Sequence, residues 1–499
     1  MSAGRDAPHR TPSDAASLVL AGIATQAELL RSRTVGSREL TAAVLDRIAA
    51  LNPTVRAFST VLAESALDDA AAADERLARR SRGRQRRQRR QRHRPEPLLG
   101  VPIAVKGEND VAGVPTTFGG AATLVPAARD SEVVRRLRAA GAIVVGITAM
   151  SEFGLWPFTE SAAHGYVRNP WDLTRSTLGS SGGTAAAVAS GMVGAGIGGD
   201  AGGSIRLPSA ACGLFGLKPQ RGRVSTAPNP DLWRSLGTLG PLTRTVADSA
   251  LCYDVICGAA ATDRFSAVPP SESFTAAAQR HPGRLRVAVS GVCPVPGVDP
   301  DPEHLAAVNA TATALASLGH RVELADPPYP RGKRMLLPQQ AFIPQMLAGL
   351  RQEVALVDHP ALLERRTKAL WRTARALPTS AAEAAEHRGR QYAELLNQLF
   401  VDHDLLLQPM MPHRPPSLGV LDGVGAARAM QVSVPVVSYA GVWNIAGNPA
   451  ASVPVGLAAD GLPTAVQIVG RPHDEATVLA VARQLEQVQP WAQLRPPVS

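Results

Sequence analysis

In GGDAGGSIRLPS (198–209), four glycines and Asp200 lead into Ser204. Glycines so placed either make a turn or bare backbone N–H groups beside the hydroxyl. Acyl transfer builds negative charge on a former carbonyl oxygen, and each N–H donor aimed at it contributes about 2.7–4 kcal/mol to the transition state. Side chains would obstruct that approach, so Ala201, Gly202 and Gly203 before Ser204 suit an oxyanion site built from backbone. A serine hydroxyl attacks poorly until a base removes its proton. Lysine serves as that base only when uncharged, which a desolvated position favours. Lys106 closes the apolar run LLGVPIAVK (98–106), so a core strand would deliver its amine to the interior. The chain has four lysines (Lys106, Lys218, Lys333, Lys368) against forty-eight arginines, and arginine cannot act as a base near neutral pH. A strand-end lysine that simply reaches water is the plain alternative.

Other chemistries fit less well. GAGIGG (194–199) satisfies G-x-G-x-x-G through Gly194, Gly196 and Gly199, but the DAGGSIRLP that follows is not expected to open a helix at that point, directly after the glycines, as the fingerprint requires. No G-x-x-x-x-G-K-[ST] occurs, and the eleven histidines form neither H-E-x-x-H nor a compact cluster with cysteine. GSSGG (179–183) matches the nucleophile elbow G-x-S-x-G, which would make Ser181 the nucleophile. An elbow needs an apolar strand leading in, whereas NPWDLTRSTL precedes it, and no histidine partner stands out downstream.

The elements that must position these residues follow from periodicity. Leu40, Val44, Leu45, Ile48 and Leu51 recur at helical spacing, and Asn52-Pro53 is expected to stop that helix. SEVVRRLRAAG (131–141) reads as a helix closed by Gly141, then AIVVGIT as a buried strand. NPWDLTRSTLGSSGG reads as a loop and TAAAVASGMV as a tightly packed helix. RLRVAVS (284–290), the helix EHLAAVNATATALASLG (303–319) and RVEL continue the alternation. Residues 330–400 are helical, and DLLLQPMMP and AVQIVG add late strands. The pattern is that of an α/β fold with helices layered on a sheet. Residues 260–283 read as a loop at the edge of a lobe.

Composition bounds the rest. With 499 residues and 45% hydrophobic content, the chain can bury a large core. The net charge of +10 comes from one tract: RLARRSRGRQRRQRRQRHR (76–94) holds eleven arginines, and without them the remainder is near −1. No aromatic side chain interleaves the tract, so it reads as a solvated insertion over 78–96, not a specific nucleic-acid site. Four scattered cysteines suit a reducing, cytoplasmic setting, and no membrane anchor is evident. The run LVLAGIA (18–24) is too short to span a bilayer.

Three blocks, GVPIAVKGENDVAGVPTT (100–117), LGSSGGTAAAVASG (178–191) and GGDAGGSIRLPSAACGLFGLKP (198–219), resemble the signature of the amidase signature family. NPWDLTRS and the C-terminal GNPAASVPVG and GLPTAVQIVGRPHDEATVL are similar to it as well. The resemblance implies one large domain over 21–490 after a tail at 1–20, with a central mixed β-sheet surrounded by helices. It implies cleavage of a small-molecule amide with no metal or organic cofactor. Ser204 matches the acylated nucleophile, Ser180 the bridging serine that follows a cis peptide, and Lys106 the base. The resemblance implies that backbone N–H groups from Ala201 to Ser204, that of Ser204 included, hold the oxyanion; Asp200 and Arg206 would brace the loops, with Ser181 in support. The family also includes the glutamine-hydrolysing component of a tRNA-dependent amidotransferase, a rival reading. Gly107 departs from the family's usual aspartate, Leu178 from a glycine and Gly199 from a frequent threonine. The resemblance is weakest over 260–400, expected to shape the substrate pocket, with Met346, Trp371, Tyr439 and Trp443 as candidate lining. A homodimer stays open.

Overall fold

Apolar runs of four to eight residues, too short for helices, become strands. The computed structural model describes residues 12–85, 96–229 and 233–499. In chain order the strands are β1 (Phe58–Val61), β2 (Pro102–Lys106), β3 (Ile143–Thr148), β4 (Glu160–Ser161), β5 (Gly165–Tyr166), β6 (Arg168–Asn169) and β7 (Asp172–Ser176). Then come β8 (Ala195–Gly199), β9 (Phe215–Lys218), β10 (Leu239–Thr243), β11 (Arg286–Val289), β12 (Arg321–Leu324), β13 (Leu405–Pro409), β14 (Ala450–Leu457) and β15 (Pro463–Gly470). Eleven of them form one sheet in the order β1-β3-β2-β8-β10-β9-β14-β15-β13-β11-β12, while β4–β5 and β6–β7 are separate ribbons. The sheet is mixed. β2 runs parallel to β3 and β8, β10 antiparallel to β8 and β9, and β11 parallel to β12 and β13.

Helices cover both faces, which is why β2, β3, β8 and β13 are buried throughout and why β2, β3 and β13 read as largely apolar runs. Alternation along each strand still sorts side chains by face. Ala104 and Val145 join the cluster of the buried helix Gly182–Ala189, while Val105, Val144 and Ile197 join Leu30, Val246 and Ala250. The single α/β domain with a central mixed sheet is therefore as expected.

Some elements differ from the expectation. The helix Ser37–Val55 runs through Pro53, which forfeits a single i→i−4 bond two residues from the end, and Arg56 closes it in a left-handed conformation. The expected loop before the serine pair contains the β6–β7 ribbon. Within the expected tail, Pro12–Leu20 is a helix with Val19 in the core. The first residues of the arginine tract extend the helix Ala63–Gln85, and residues 86–95 of it lie outside the described residues. Phe274 and Ala278, in the segment read as a lobe edge, pack in the main core, and the sheet is continuous on either side of that segment. Among the described residues no helix is long and apolar enough to cross a membrane.

Candidate active site

Strand register brings the first and third blocks together. β2 and β8 pair with Ala104 beside Gly196 and Val105 beside Ile197, so both end at the same sheet edge. At that edge the Lys106 amine is wholly buried. It donates to Ser180 Oγ at 2.9 Å and lies 3.5 Å from the Gly199 carbonyl. A third neighbour carries no signal in the sequence: Glu108 Oε2 stands 3.1 Å from the amine. Lys218, the other wholly buried lysine, donates to the Pro219 carbonyl instead. Burial, then the Arg206 guanidinium, holds its amine well below the ordinary lysine range.

Ser180 follows a cis peptide from Gly179 and precedes the helix Gly182–Ala189. Close packing fixes this corner: a Cβ at Gly183 would sit 2.4 Å from the Ala149 carbonyl oxygen, and one at Gly182 2.3 Å from the hydroxyls of Thr159 and Thr177. Ser181 is wholly buried, its hydroxyl donating to the Gly199 carbonyl at 3.2 Å and accepting the Gly199 N–H at 3.4 Å. Its own N–H donates to the Ser204 carbonyl at 3.3 Å, tying the two serine loops together. No histidine is among its partners, which removes support from the elbow reading.

Ser204 is half-buried on the loop between β8 and the helix Arg206–Ala211. Asp200 organises that loop. Its carboxylate accepts the N–H of Gly203 at 2.7 Å, the Arg206 Nε and Nη2 at 3.0 Å each, and Asn444 Nδ2 at 2.8 Å. Burial opposes its ionisation, but the Arg206 guanidinium and Asn444 outweigh that and hold the carboxyl well below the usual range. Arg206, wholly buried, also reaches the Ala440 carbonyl, Gln467 and Asn444. Of the four expected oxyanion donors, Gly203 has its N–H engaged by Asp200 in this arrangement. Gly203 is needed for shape, with φ of +126° and Ala440 Cβ only 2.7 Å from where a side chain would start. The N–H groups of Ala201, Gly202 and Ser204 have no acceptor among the described residues. Ser204 Oγ likewise makes no hydrogen bond among the described residues, although it shares a small cavity wall with Lys106 and Ser180.

Ser204 also opens onto a pocket of about 870 Å³, counting its solvent-open mouth. Leu155, Trp156, Trp233, Phe342, Ile343 and Met430 supply much of the wall, and no charged side chain among the described residues lines it. Of the candidate lining residues only Met346 is present. The helix Ser438–Ala446 turns Ser438, Gly441, Val442 and Ile445 toward the pocket, so Tyr439 and Trp443 face the core behind it. Trp371 stacks under Arg375 elsewhere. Helical phase in this region could have separated these faces. The bulky residues at 155, 156 and 233 lie in segments with no periodic signal.

The amidase family matches residues 39–479. "Putative amidase AmiB2" of Mycobacterium tuberculosis is 41% identical over 97% of this chain and 100% of that protein. A glutamyl-tRNA(Gln) amidotransferase component of Chloroflexus aggregans is 34% identical over 92% of this chain and 94% of that one. Among solved structures, 6-aminohexanoate cyclic dimer hydrolase superposes with a TM-score of 0.87 at 30% identity, covering 96% of this chain and 99% of the other. The chain belongs to the amidase signature family. It is a hydrolase acting on amide C–N bonds.

Proposed function

We propose that the chain hydrolyses neutral, largely apolar carboxylic amides through an acyl-enzyme on Ser204, with Ser180 as proton bridge and Lys106 as base. The observation that carries this reading is the 2.9 Å contact between a wholly buried lysine amine and Ser180, in the cavity that Ser204 borders. Substrate binding would close the remaining gap, since catalytic hydrogen bonds commonly tighten only in the complex. The Ser204 proton passes to Ser180 Oγ as the Ser180 proton passes to Lys106 Nζ. The Ser204 oxygen attacks, and the oxyanion sits before the N–H groups of Ala201, Gly202 and Ser204. The proton then returns through Ser180 to the leaving nitrogen, the C–N bond breaks, and water cleaves the ester by the same route. Asp200 and Arg206 hold the nucleophile loop, and Ser181 locks it to β8.

The wall composition supports an apolar acyl group. It counts against the amidotransferase reading, because a glutamine substrate would bring a charged α-amine and carboxylate to a wall with no charged side chain among the described residues. We also place the enzyme in a reducing compartment, in keeping with its four free cysteines. The test is turnover of a panel of aryl and aliphatic amides by the wild type, Ser204→Ala, Ser180→Ala and Lys106→Ala. Loss of labelling by a fluorophosphonate in Ser204→Ala alone would support the assignment. Near-wild-type hydrolysis by Ser204→Ala or Lys106→Ala would sink it.

A further inference from the structure

We propose that Glu108 is a positioning carboxylate for the catalytic amine, which extends the Ser-Ser-Lys relay to a fourth member and rests on Lys106 being the base. Three groups surround Lys106 Nζ: Ser180 Oγ at 2.9 Å, the Gly199 carbonyl at 3.5 Å and Glu108 Oε2 at 3.1 Å. Two of these can only accept a hydrogen bond when Glu108 is ionised. An uncharged amine has two N–H groups and one lone pair. With its hydrogens given to the carbonyl and the carboxylate, the lone pair faces the Ser180 hydroxyl. When Lys106 takes the Ser180 proton, the new ammonium forms against a carboxylate already in place. Glu108 keeps its negative charge throughout and takes no proton. The pair goes from a net charge of minus one to zero while the oxyanion gains the minus one, so charge moves within the buried site instead of a lone cation being created there.

The chain makes room for this group. A Cβ at Gly199 would lie 1.9 Å from Glu108 Oε1, so any side chain at 199 displaces the carboxylate. Two departures from the family pattern thus act together: the residue after Lys106 carries no acid, and the glycine at 199 admits the acid one position further on. The other charged groups nearby do not compete. Glu353, on the helix Leu337–Val354, faces the pair and accepts from Trp233 Nε1 at 3.3 Å. Burial, then the neighbouring Glu108 carboxylate, pushes its carboxyl well above the usual range. Asp200 borders the same cavity but is committed to Arg206. Glu108 Oε1 is buried and has no hydrogen-bond partner among the described residues, so the carboxylate is held from the Lys106 side.

The test compares Glu108→Gln, Gly199→Ala, the double variant and Lys106→Ala as pH profiles of kcat/KM on an amide the wild type turns over. Glu108→Gln is expected to lose about ten- to a hundredfold, the worth of one charged hydrogen bond. Its acid limb should move to lower pH, because no carboxylate then favours the charged amine. Gly199→Ala should reproduce both effects by displacing Glu108, and the double variant should lose much less than the product of the single losses. Activity within about twofold of wild type in Glu108→Gln, or a loss with the acid limb unmoved, overturns the proposal. If Glu108→Gln does not fold, Gly199→Ala decides by the same criteria. A dead Lys106→Ala beside a wild-type Glu108→Gln refutes only this inference, whereas an active Lys106→Ala refutes the base assignment beneath it.

Discussion

Glu152→Gln is expected to stabilise the enzyme, and by an amount that grows with pH. Glu152 precedes Gly154, one of the residues lining the pocket, and its side chain is 1% exposed. Burial pushes its carboxyl up to about 7 from an ordinary 4.5, with Glu364 adding to the rise and Thr367 opposing it. The folded protein therefore holds this proton more tightly than the unfolded chain does. Below the unfolded value the group costs nothing. As pH rises from there to about 7 the penalty builds, and above 7 it stays constant. At 1.36 kcal/mol per unit, the full penalty is about 3 kcal/mol by pH 8, against about 1 kcal/mol at pH 5. Glutamine keeps the shape and an acceptor for the Glu364 N–H, which now reaches the carboxylate at 3.1 Å. Urea unfolding of both proteins at pH 5 and pH 8 should show the variant ahead by roughly those two amounts. An equal difference at both pH values, or a variant less stable at pH 8, would refute the reasoning.

Asp200→Asn leaves the Arg206 guanidinium buried without its counter-charge, so thermal or denaturant unfolding should report a loss of about 3–5 kcal/mol. Gly203→Ala forces a side chain onto Ala440 at a φ of +126°, and displacement of the nucleophile loop should lower kcat by about a hundredfold, read in steady-state assays alongside a melting curve. Phe342→Ala removes a pocket wall: KM for amides with bulky apolar acyl groups should rise about tenfold or more, with acetamide-sized substrates little affected.

What can be read from the sequence is set by whether a signal is local. β2, β3, β11 and β13 carry unbroken apolar runs and are legible. β8, β10 and β14 are not, because AGIGG, LGPLT and AASVPVGL are rich in glycine, alanine and proline, residues that fill sheet interiors only where neighbours approach closely. Lys106, Ser180 and Ser204 stand out by type, and their convergence depends on the parallel register of β2 with β8, a non-local fact. The commitment of the Gly203 N–H to Asp200 is invisible until the loop is closed. Glu108 gives no warning, because an acid two residues from a lysine on a strand is ordinarily a solvated neighbour. Only the turn after β2 and the bare Gly199 fold it back onto the amine.

The distribution of buried charge separates the site into two parts with different demands on a substrate. Around the serines lie Lys106 with Glu108, Asp200 with Arg206, and Glu353 with Trp233, each held by a partner within hydrogen-bond reach. Beyond them, the wall from Leu155 and Trp156 to Ile445 has none among the described residues. An unpaired charge on a ligand would find no partner on that wall and would cost several kcal/mol to desolvate, whereas an apolar group there gains about 25 cal/mol for each Å² it buries. The oxyanion that forms from the amide carbonyl needs N–H donors, and the backbone N–H groups of Ala201, Gly202 and Ser204 at the serine end are placed to supply them. On the proposed function, a substrate would bind productively with its amide at the serine end and its acyl chain along the uncharged wall. Discrimination between amides should then follow the size and polarity of the acyl group far more than the leaving amine, and a substrate series varied separately at each end would show the opposite ranking if this division were wrong.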